Sequence, residues 1–450
     1  MSELGSMEAS SDARLAEQGF VGRVTVATAF GEGLDGYDLG VISVVLPLAS
    51  TALGLTTVEE GLLGASSLAG IFFGAPIFGH LTDRFGRRRI FVFDLIAFVV
   101  LGLLQAFVGS VAVLLIVRFA LGLAIGAEYA IGQTMLAELS PSEGRGRRLS
   151  SLQASWYGGF LLAVLVAYVL DALGVDWRLI LATGAIPGLV TLLVRQGLPE
   201  SPRWLMSRGR EDDAKAIVDE HLGGDYYDEE DLAEESAEQA SFGRLFARDT
   251  WRQTTFASTF FTCLVAPYFA IFTFAPQVFS SLGFNSPKVS IIATNAIAFL
   301  GALAGMIVID RVGRRRLLLT SFWVMVATTL VIGVWATGPV PVLLGCLVAF
   351  AFFNAISGDL TGVYPAEIFP SELRGSGVGF AAAISRIGAA GGTFLLPVGI
   401  DAFGIGVCML IAATVCAVGL AVTYLWAPET TDLSLTQSVR ATAPGSRDAT

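Results

Sequence analysis

Two aspartates stand inside an apolar stretch near the start of the chain, where an isolated charge is costly. Asp35 and Asp38 belong to the string Gly-Leu-Asp-Gly-Tyr-Asp-Leu-Gly within the apolar run 24–52. A carboxylate at the centre of a membrane helix costs roughly 3 kcal/mol, so it is tolerated where it faces a watery cavity or a partner charge. The two aspartates are three residues apart and share one helix face. The pattern predicts a buried acidic site; the alternative is a helix end at the membrane interface.

Asp38 is the predicted proton carrier of this site, and Arg118 is its predicted partner. A carboxylate whose burial or cationic neighbour changes during a cycle can take up and release a proton near neutral pH. Arg118 lies in the apolar run 111–137, and its long side chain can reach inward. We place Asp35 in the same proton-coupling group. The alternative is a permanent ion pair that fixes two helices together.

Four further charged residues interrupt apolar runs: Asp94, Glu128, Asp359 and Arg386. Asp94 is close in sequence to an arginine-rich loop, so we expect it to pair with that loop. Arg386 has small neighbours on nearly every side, and its guanidinium can bind a carboxylate through two hydrogen bonds. If Arg386 faces a cavity, the substrate is anionic. The alternative role of Arg386 is to neutralise Asp359.

Amide and aromatic side chains in the apolar runs are expected to complete a substrate site with Asp359 and Arg386. These predicted substrate-binding residues are Gln153, Tyr157, Tyr268, Gln277, Asn295 and Asn354. For each of them, the alternative is a hydrogen bond that only holds membrane helices together.

Neither the cysteines nor the histidines predict a metal site. The four cysteines lie within apolar runs without Cys-x-x-Cys spacing, and the two histidines lie at loops. No nucleophile, base and orienting group come together in a water-accessible loop. We therefore expect no metal, no cofactor and no enzymatic activity.

The elements that must position these residues are membrane helices. The chain of 450 residues is 54% hydrophobic and 15% charged, with a mean hydropathy of +0.68, which excludes a soluble globular protein. Twelve apolar runs are long enough to cross a bilayer. In chain order, these spans 1 to 12 cover residues 24–52, 62–81, 90–108, 111–137, 152–170, 179–194, 254–279, 289–309, 317–337, 340–363, 378–399 and 402–426.

The spans predict an all-α membrane protein with two six-helix bundles. The expected parts are an N-terminal tail (1–23), the first bundle (24–196), a linker (197–251), the second bundle (252–426) and a C-terminal tail (427–450). Arginines gather in the loops on one side of the spans, which predicts that this side, with the linker and both termini, is cytoplasmic.

Three sequence matches between the halves indicate that one is a copy of the other. Residues 137–146 return 229 positions later, as do residues 199–201, and residues 83–89 return 227 positions later. An offset of six helices preserves orientation, so we expect an axis along the membrane normal and a working site between the halves near the midplane.

These motifs resemble the major facilitator superfamily of transporters. The stretch 79–88, Gly-His-Leu-Thr-Asp-Arg-Phe-Gly-Arg-Arg, is similar to the superfamily's loop motif between helices two and three. Residues 199–205 and 365–370, together with Arg118-Phe119, resemble the sugar-porter branch and its metabolite-transporter relatives. The Asp-Gly-Tyr-Asp string resembles the first helix of aromatic-acid/proton symporters. The paired glutamines of sugar porters are absent from span 7, which favours an acid over a sugar.

The resemblance also implies a conformational latch that closes the inner side. Its expected members are Asp83, Arg84, Glu138 and Arg145 in the first half and Asp310, Arg311, Glu367 and Arg374 in the second. The alternative is that these residues serve topology alone.

We therefore expect a proton-coupled importer of a small organic metabolite that works by alternating access, with an organic or aromatic carboxylate favoured as substrate. A sugar or polyol symporter is the first alternative. A proton-driven exporter is the second, and it is disfavoured because span 5 lacks the proline of the exporter motif. The expected partners are the substrate, the proton and the lipid bilayer of the inner or plasma membrane, with no nucleic acid and a monomeric state.

Overall fold

The structure is a computed structural model that describes residues 2–139, 145–221, 242–248, 250–285 and 287–430. The side chains of residues 2–18 lie outside this description. So do those of several helix-end residues, among them Asp83, Glu138, Arg145, Asp310 and Arg374.

Long apolar helices form the two halves. Spans 1 to 5 are the helices Ser2–Leu53, Thr57–Phe85, Arg87–Leu104, Val111–Glu138 and Arg145–Ala172, and span 6 is the pair Trp177–Ala182 and Ala185–Val194. Span 7 is Trp251–Thr273 followed by Ala275–Ser281, span 8 is Pro287–Val312, span 9 is Arg314–Val334, span 10 is Val340–Gly358 with Leu360–Ile368, and spans 11 and 12 lie in Ser371–Trp426. Short helices Pro202–Ser207 and Glu211–His221 and the 3-10 turns Gln105–Phe107 and Phe242–Phe246 occupy connections.

Among the described residues, eleven helices are long and apolar enough to cross a membrane. The last of them runs from Gly375 to Trp426 and is far longer than a bilayer requires. Its backbone leaves helical geometry at Gly404, where φ is 80°, so the stretch contains spans 11 and 12. The predicted all-α fold with twelve spans is confirmed.

Apolar side chains are exposed on the outside of the bundle and charged side chains of the spans are buried inside it, as expected for helices surrounded by lipid. On span 4, Ile116 is 67% exposed, while Arg118, two residues later, is 1% exposed. Apolar side chains therefore cover the outer surface of the bundle, and the costly polar groups point inward, where other helices can satisfy them.

Glycines bring spans 1 and 5 into close contact beside the acidic string. A Cβ at Gly36 would lie 2.0 Å from the Trp156 carbonyl oxygen, and one at Gly159 would lie 1.9 Å from the Gly33 carbonyl oxygen. No other residue fits at either position without moving a helix backbone, so small residues set the distance between these spans. This packing fixes the helix that carries Asp35 and Asp38 against the helix that carries Tyr157.

The two faces of the bundle differ in how the halves meet. We name the face that carries residues 87–89 and 314–316 the arginine face. At the opposite face, Lys288 Nζ lies 2.7 Å from Asp171 Oδ2 and joins span 8 to span 5. Thr57 Oγ1 donates to Asp401 Oδ2 at 2.5 Å and joins span 2 to the end of span 11. The halves are thus connected at the opposite face.

A repeated carboxylate caps the arginine face. Glu200 Oε1 accepts hydrogen bonds from the backbone N–H groups of Arg87 (3.0 Å) and Arg88 (3.2 Å) at the start of span 3. In the second half, Glu429 Oε1 accepts from the Arg314 N–H at 2.9 Å at the start of span 9. A carboxylate at a helix N-terminus satisfies free N–H groups and complements the helix dipole. The repeated Pro-Glu motifs therefore anchor the chain after spans 6 and 12 to the same turn of each half.

The first of these turns predicts a measurable stability effect. Gly86 has φ 96° and ψ 148°, and a Cβ there would lie 2.6 Å from Glu200 Oε2. Because this backbone region is almost restricted to glycine, Gly86→Ala should destabilise the protein by about 1–3 kcal/mol. We expect a lower thermal unfolding midpoint in detergent. Gly79→Ala on the same helix, where a Cβ has nothing within 4 Å, is the matched control; equal midpoints for the two variants would contradict the strained turn.

Candidate functional site

Asp38 and Arg118 form a buried ion pair between spans 1 and 4. Arg118 Nη1 lies 2.9 Å from both carboxylate oxygens of Asp38. Nη1 and Nη2 also donate to the Asp38 backbone carbonyl at 3.3 Å. Both side chains are 1% exposed. The predicted pairing is therefore present in the structure, and a buried charge on each helix neutralises the other.

Neighbouring polar groups hold this pair in place. The Ser67 hydroxyl on span 2 donates to the Arg118 backbone carbonyl at 2.9 Å. On span 1, the Tyr37 hydroxyl and the Thr183 hydroxyl of span 6 are 2.8 Å apart. The pair thus sits where spans 1, 2, 4 and 6 of the first half converge.

Polar and aromatic groups from both halves meet at the centre of the bundle. The Tyr157 hydroxyl on span 5 donates to Asn354 Oδ1 on span 10 at 3.2 Å, and Asn354 Nδ2 donates to the Leu264 carbonyl on span 7 at 2.8 Å. The Tyr268 ring lies 5.6 Å from the Tyr157 ring and 6.1 Å from the Trp156 ring. We name this group the central site. Its aromatic faces, hydroxyl and amide are of the kinds that ligand sites use for orientation and specificity.

Arg386 approaches the central site from span 11. Its guanidinium carbon lies 4.9 Å from the centre of the Tyr129 ring on span 4 and 5.9 Å from the rings of Phe261 and Phe269 on span 7. Arg386 is 8% exposed. Three aromatic rings therefore hold the cation through their faces.

The alternative role of Arg386, neutralisation of Asp359, is not found in the described part of the structure. Asp359 is 3% exposed, and neither of its carboxylate oxygens has a hydrogen-bond partner there. Asp359 Oδ2 instead lies against span 8, where a Cβ on Gly305 would come within 2.1 Å of it. The two charges consequently occupy different positions.

The remaining predicted substrate-binding residues differ in whether they lie at the central site. Gln153 faces span 10, since a Cβ on Gly358 would lie 3.5 Å from its amide nitrogen and 3.6 Å from the Tyr157 hydroxyl. Asn295 is buried, but its amide donates to Ile291 of its own helix at 2.9 Å. Gln277 lies on the short helix Ala275–Ser281 and is partly buried. The structure therefore brings Gln153 to the central site and leaves Asn295 engaged with its own helix.

A second set of charges lies between Asp38 and the arginine face. It consists of Glu32 and Asp35 on span 1, Asp94 on span 3, Glu128 on span 4 and Arg195 at the end of span 6. We name it the inner acid cluster. Each member is at least nine-tenths buried.

The predicted pairing of Asp94 with the arginine-rich loop is wrong. Both Asp94 oxygens lack a hydrogen-bond partner in the described part of the chain, and the charges that act on Asp94 are those of Glu128 and Arg195. The error arose because the run was assumed to place Asp94 at the interface, whereas the side chain is buried near Glu128 of span 4 and Arg195 at the end of span 6. Arg195 and Glu32 were missed: Arg195 follows the last apolar residue of span 6, and Glu32 continues the three-residue spacing of Asp35 and Asp38.

Glu128 and Arg195 form the ordered part of this cluster. Arg195 Nη1 donates to Glu128 Oε2 at 2.6 Å, Arg195 Nη2 donates to Glu128 Oε1, and Arg195 Nε donates to the Ala27 carbonyl at 3.0 Å. The guanidinium also stacks on Phe91, 3.6 Å from the ring centre. Gly31 makes the room, because a Cβ there would lie 1.8 Å from Arg195 Nη2.

The predicted latch is described only in part. Glu367 Oε1 accepts hydrogen bonds from Arg314 Nε at 3.3 Å and Nη2 at 3.1 Å, and Glu367 Oε2 accepts from Thr430 at 2.6 Å. Arg84 and Arg311 are exposed. The side chains of the other predicted members lie outside the described residues; these are Asp83, Glu138, Arg145, Asp310 and Arg374. Sequence reasoning missed Glu200 and Glu429 as carboxylates of this face, although the repeat of their Pro-Glu motif was visible.

The chain is similar to known transport proteins in both sequence and fold. Residues 24–441 match the family model described as "Sugar (and other) transporter". The inner membrane metabolite transport protein YgcS of Escherichia coli (strain K12) is 37% identical over 411 residues, which cover 91% of this chain and 92% of that protein. The putative metabolite transport protein YaaU of the same organism is 36% identical over 430 residues, which cover 94% and 96%. The solved structure of the MFS (major facilitator superfamily) proton:xylose symporter XylE has a TM-score of 0.78 at 23% identity, covering 95% of this chain and 100% of that chain.

The Glu128–Arg195 pair generates a prediction about stability. Arg195→Gln leaves Glu128 buried without its partner, and breaking a buried pair in this way costs about 3–5 kcal/mol. We expect a strongly lowered unfolding midpoint in detergent. The double variant Arg195→Gln with Glu128→Gln should recover much of the loss, because it leaves no unpaired charge in that pair.

The matched control is Arg210→Gln, which breaks the exposed ion pair with Asp213. An exposed pair is worth about 0–1 kcal/mol, so this variant should unfold close to the wild type. If Arg195→Gln and Arg210→Gln unfold at the same temperature, the buried pair does not stabilise the bundle.

Proposed function

The chain belongs to the sugar (and other) transporter family of the major facilitator superfamily, and on this premise we propose that it is a proton-coupled importer of a small polyhydroxylated metabolite, a sugar or a polyol. The chain is a multi-pass membrane transporter and not an enzyme. The finer assignment of coupling ion and substrate is our proposal. Its main structural support is the buried Asp38–Arg118 pair, which places a titratable group inside the first half.

The proposed substrate is a neutral sugar or polyol, whereas the sequence favoured an organic carboxylate. That expectation came from the Asp-Gly-Tyr-Asp string and from Arg386. The family model is described by sugar, and XylE is a proton:xylose symporter, so the comparisons favour the sugar or polyol alternative. The central site suits such a ligand, because the rings of Trp156, Tyr157 and Tyr268 can cover the apolar face of a sugar while Asn354 and Gln153 bind hydroxyls.

An organic carboxylate is the second candidate, and Arg386 is the observation that favours it. The guanidinium lies at the meeting of the two halves, and within the described residues no carboxylate forms an ion pair with it. A carboxylate could use its N–H groups in bidentate fashion, which a neutral polyol matches less well.

Proton coupling follows from the chemistry of the Asp38–Arg118 pair. Protonation of Asp38 removes its negative charge and so leaves Arg118 as a buried cation without its ionic partner. The two states of the pair then hold spans 1 and 4 differently. A proton bound at Asp38 can thereby bias the equilibrium between two conformations of the halves.

We propose that the arginine face is cytoplasmic, that both termini lie on this side, and that the protein acts as a monomer in the inner or plasma membrane. Arginines gather on this face, as the positive-inside rule requires. The contacts Lys288–Asp171 and Thr57–Asp401 would then close the outer side. The Glu367–Arg314 interaction and the capping carboxylates Glu200 and Glu429 would form the inner charged network that rearranges when that side opens.

Substrate class is tested by uptake into proteoliposomes with an imposed inward proton gradient. The panel contains xylose, glucose, myo-inositol, benzoate and glucuronate, each labelled, with and without the gradient. We expect accumulation of a neutral polyhydroxylated compound that the gradient stimulates. If only the carboxylates accumulate, the sugar or polyol assignment fails and the second candidate takes its place.

Arg386→Lys divides the two candidates further. If Arg386 binds a substrate carboxylate, loss of the planar guanidinium should weaken the apparent affinity about tenfold or more. If the substrate is neutral, lysine keeps the positive charge over the aromatic rings and the affinity should change less than that. The measurement is the half-saturation concentration for uptake of the compound that the panel identifies.

Asp38→Asn tests the coupling site. The amide keeps the shape of the side chain but cannot carry the proton, so gradient-driven accumulation should be lost while exchange of internal for external substrate continues at least in part. Asp213→Asn, an exposed carboxylate of the linker helix, is the control and should accumulate substrate like the wild type. Accumulation against a gradient by Asp38→Asn would rule out Asp38 as the proton carrier.

A further inference from the structure

The charges of the inner acid cluster do not balance. Four carboxyl groups face one guanidinium, and Glu128 occupies that guanidinium through two hydrogen bonds. Glu32 has one amide donor, Gln133 Nε2, at 3.5 Å. Asp35 and Asp94 are 0% and 1% exposed, and none of their four oxygens has a hydrogen-bond partner among the described residues.

The titratable groups around Asp35 lie on spans 1, 3 and 4 and at the end of span 6, and they include the Tyr129 hydroxyl of span 4. Glu32 is on the same helix, Asp94 is on span 3, Glu128 is on span 4 and Arg195 follows span 6, and the charges of all four act on Asp35. From the second half, the charge of Arg386 acts on Glu32. Asp38 is one turn away on span 1, but its partner is Arg118, so the two acidic sites have different cations.

Unpartnered carboxylates in such a position cannot all be ionised. An isolated ionised carboxylate in an apolar environment is so costly that it takes up a proton or a cation instead. Like charges that share a site add to this cost, because they repel one another in a low dielectric. In the described part of the chain, no group of three or more histidines, cysteines or acidic residues has the arrangement to hold a metal ion. The proton is therefore the ligand that fits this cluster.

We propose that the inner acid cluster is a second proton-binding site, separate from the Asp38–Arg118 pair, in which Asp35 and Asp94 take up and release protons. A proton from water binds one carboxylate oxygen and converts the anion to a neutral acid; release returns the same proton to water. Glu128 and Arg195 form the fixed pair beside it. Its use in transport rests on the proposed function, since the two halves move relative to each other during alternating access.

Arg386 gives the site a link to that movement. It is the cation of the second half that acts on Glu32, and it stacks on Tyr129 beside Glu128 in the first half. When the halves separate or approach, the distance from this cation to the cluster changes. The cluster therefore binds protons with different affinity in the two conformations, as coupling requires.

The experiment counts protons and needs neither substrate nor gradient. Wild-type protein and the variants Asp35→Asn, Asp94→Asn, Asp38→Asn and Asp213→Asn are titrated in weakly buffered detergent solution with a pH-indicator dye. Exposed aspartates stay ionised above about pH 5, whereas histidines and the α-amino group titrate between about pH 5 and about pH 9 in every variant alike, so a difference between the variants in this range counts the substituted carboxyl groups. We expect Asp35→Asn and Asp94→Asn each to lose about one bound proton in this range. The exposed control Asp213→Asn should match the wild type.

Infrared spectroscopy gives a second reading that does not depend on the variants at Asp35 and Asp94. A neutral carboxylic acid in a dry site has a carbonyl stretch of its own, which should appear as the pH falls through the same range. The proposal is overturned if Asp35→Asn and Asp94→Asn bind as many protons as the wild type, or if the wild type shows no titrating acid band beyond the one that Asp38→Asn removes. If the wild-type protein releases protons when sodium chloride replaces choline chloride in the solution, the cluster is a sodium site and the proposal is also overturned. Because the assay contains no substrate, its outcome is independent of whether the protein imports sugars.

Discussion

A charge buried among apolar helices must have a partner or a proton, and the first half of this protein is built around that requirement. Asp38 satisfies it with Arg118, and Glu128 satisfies it with Arg195. Each pair joins span 4 to another helix. Span 4 contributes Arg118 to one pair and Glu128 to the other, about three helical turns apart. Glycines serve the same arrangement, because those of spans 1 and 5 let the two backbones approach beside Asp35 and Asp38, and Gly31 leaves room for the Glu128–Arg195 pair.

The second half has no equivalent pair at its centre in the described residues. Its embedded charges are Asp359, which lies against span 8, and Arg386, which lies among aromatic rings. The halves are copies in fold and at the arginine face, where Glu200 and Glu429 cap the same turn. They differ in the interior, where the buried ion pairs of the described residues lie in the first half. Such a division fits a transporter in which one half carries the ion and the boundary between the halves binds the substrate.

The sequence correctly predicted the features that depend on the cost of placing charge in lipid and on similarity between the halves. The number of spans and the Asp38–Arg118 pair follow from charge and hydropathy along the chain, and the repeat follows from sequence matches between the halves. The wrong predictions concern side-chain partners, which depend on how each helix is rotated about its own axis. The expected partners of Asp94 and Asp359 were assigned from nearness in sequence or in neighbouring helices, whereas helix rotation determines the actual neighbours. Trp156 and Tyr129 were missed because an aromatic residue in a membrane helix faces lipid as readily as a binding site.

We propose that substrate and proton cross the membrane together in a cycle in which Asp38 is protonated and deprotonated. The most direct measurement is the proton flux that follows addition of the transported compound to proteoliposomes, recorded with an internal pH dye and without any imposed gradient. We predict that substrate entry acidifies the lumen in the wild type, and that Asp38→Asn exchanges substrate without moving protons. Substrate entry without acidification in the wild type, or acidification that persists in Asp38→Asn, would contradict proton coupling through Asp38.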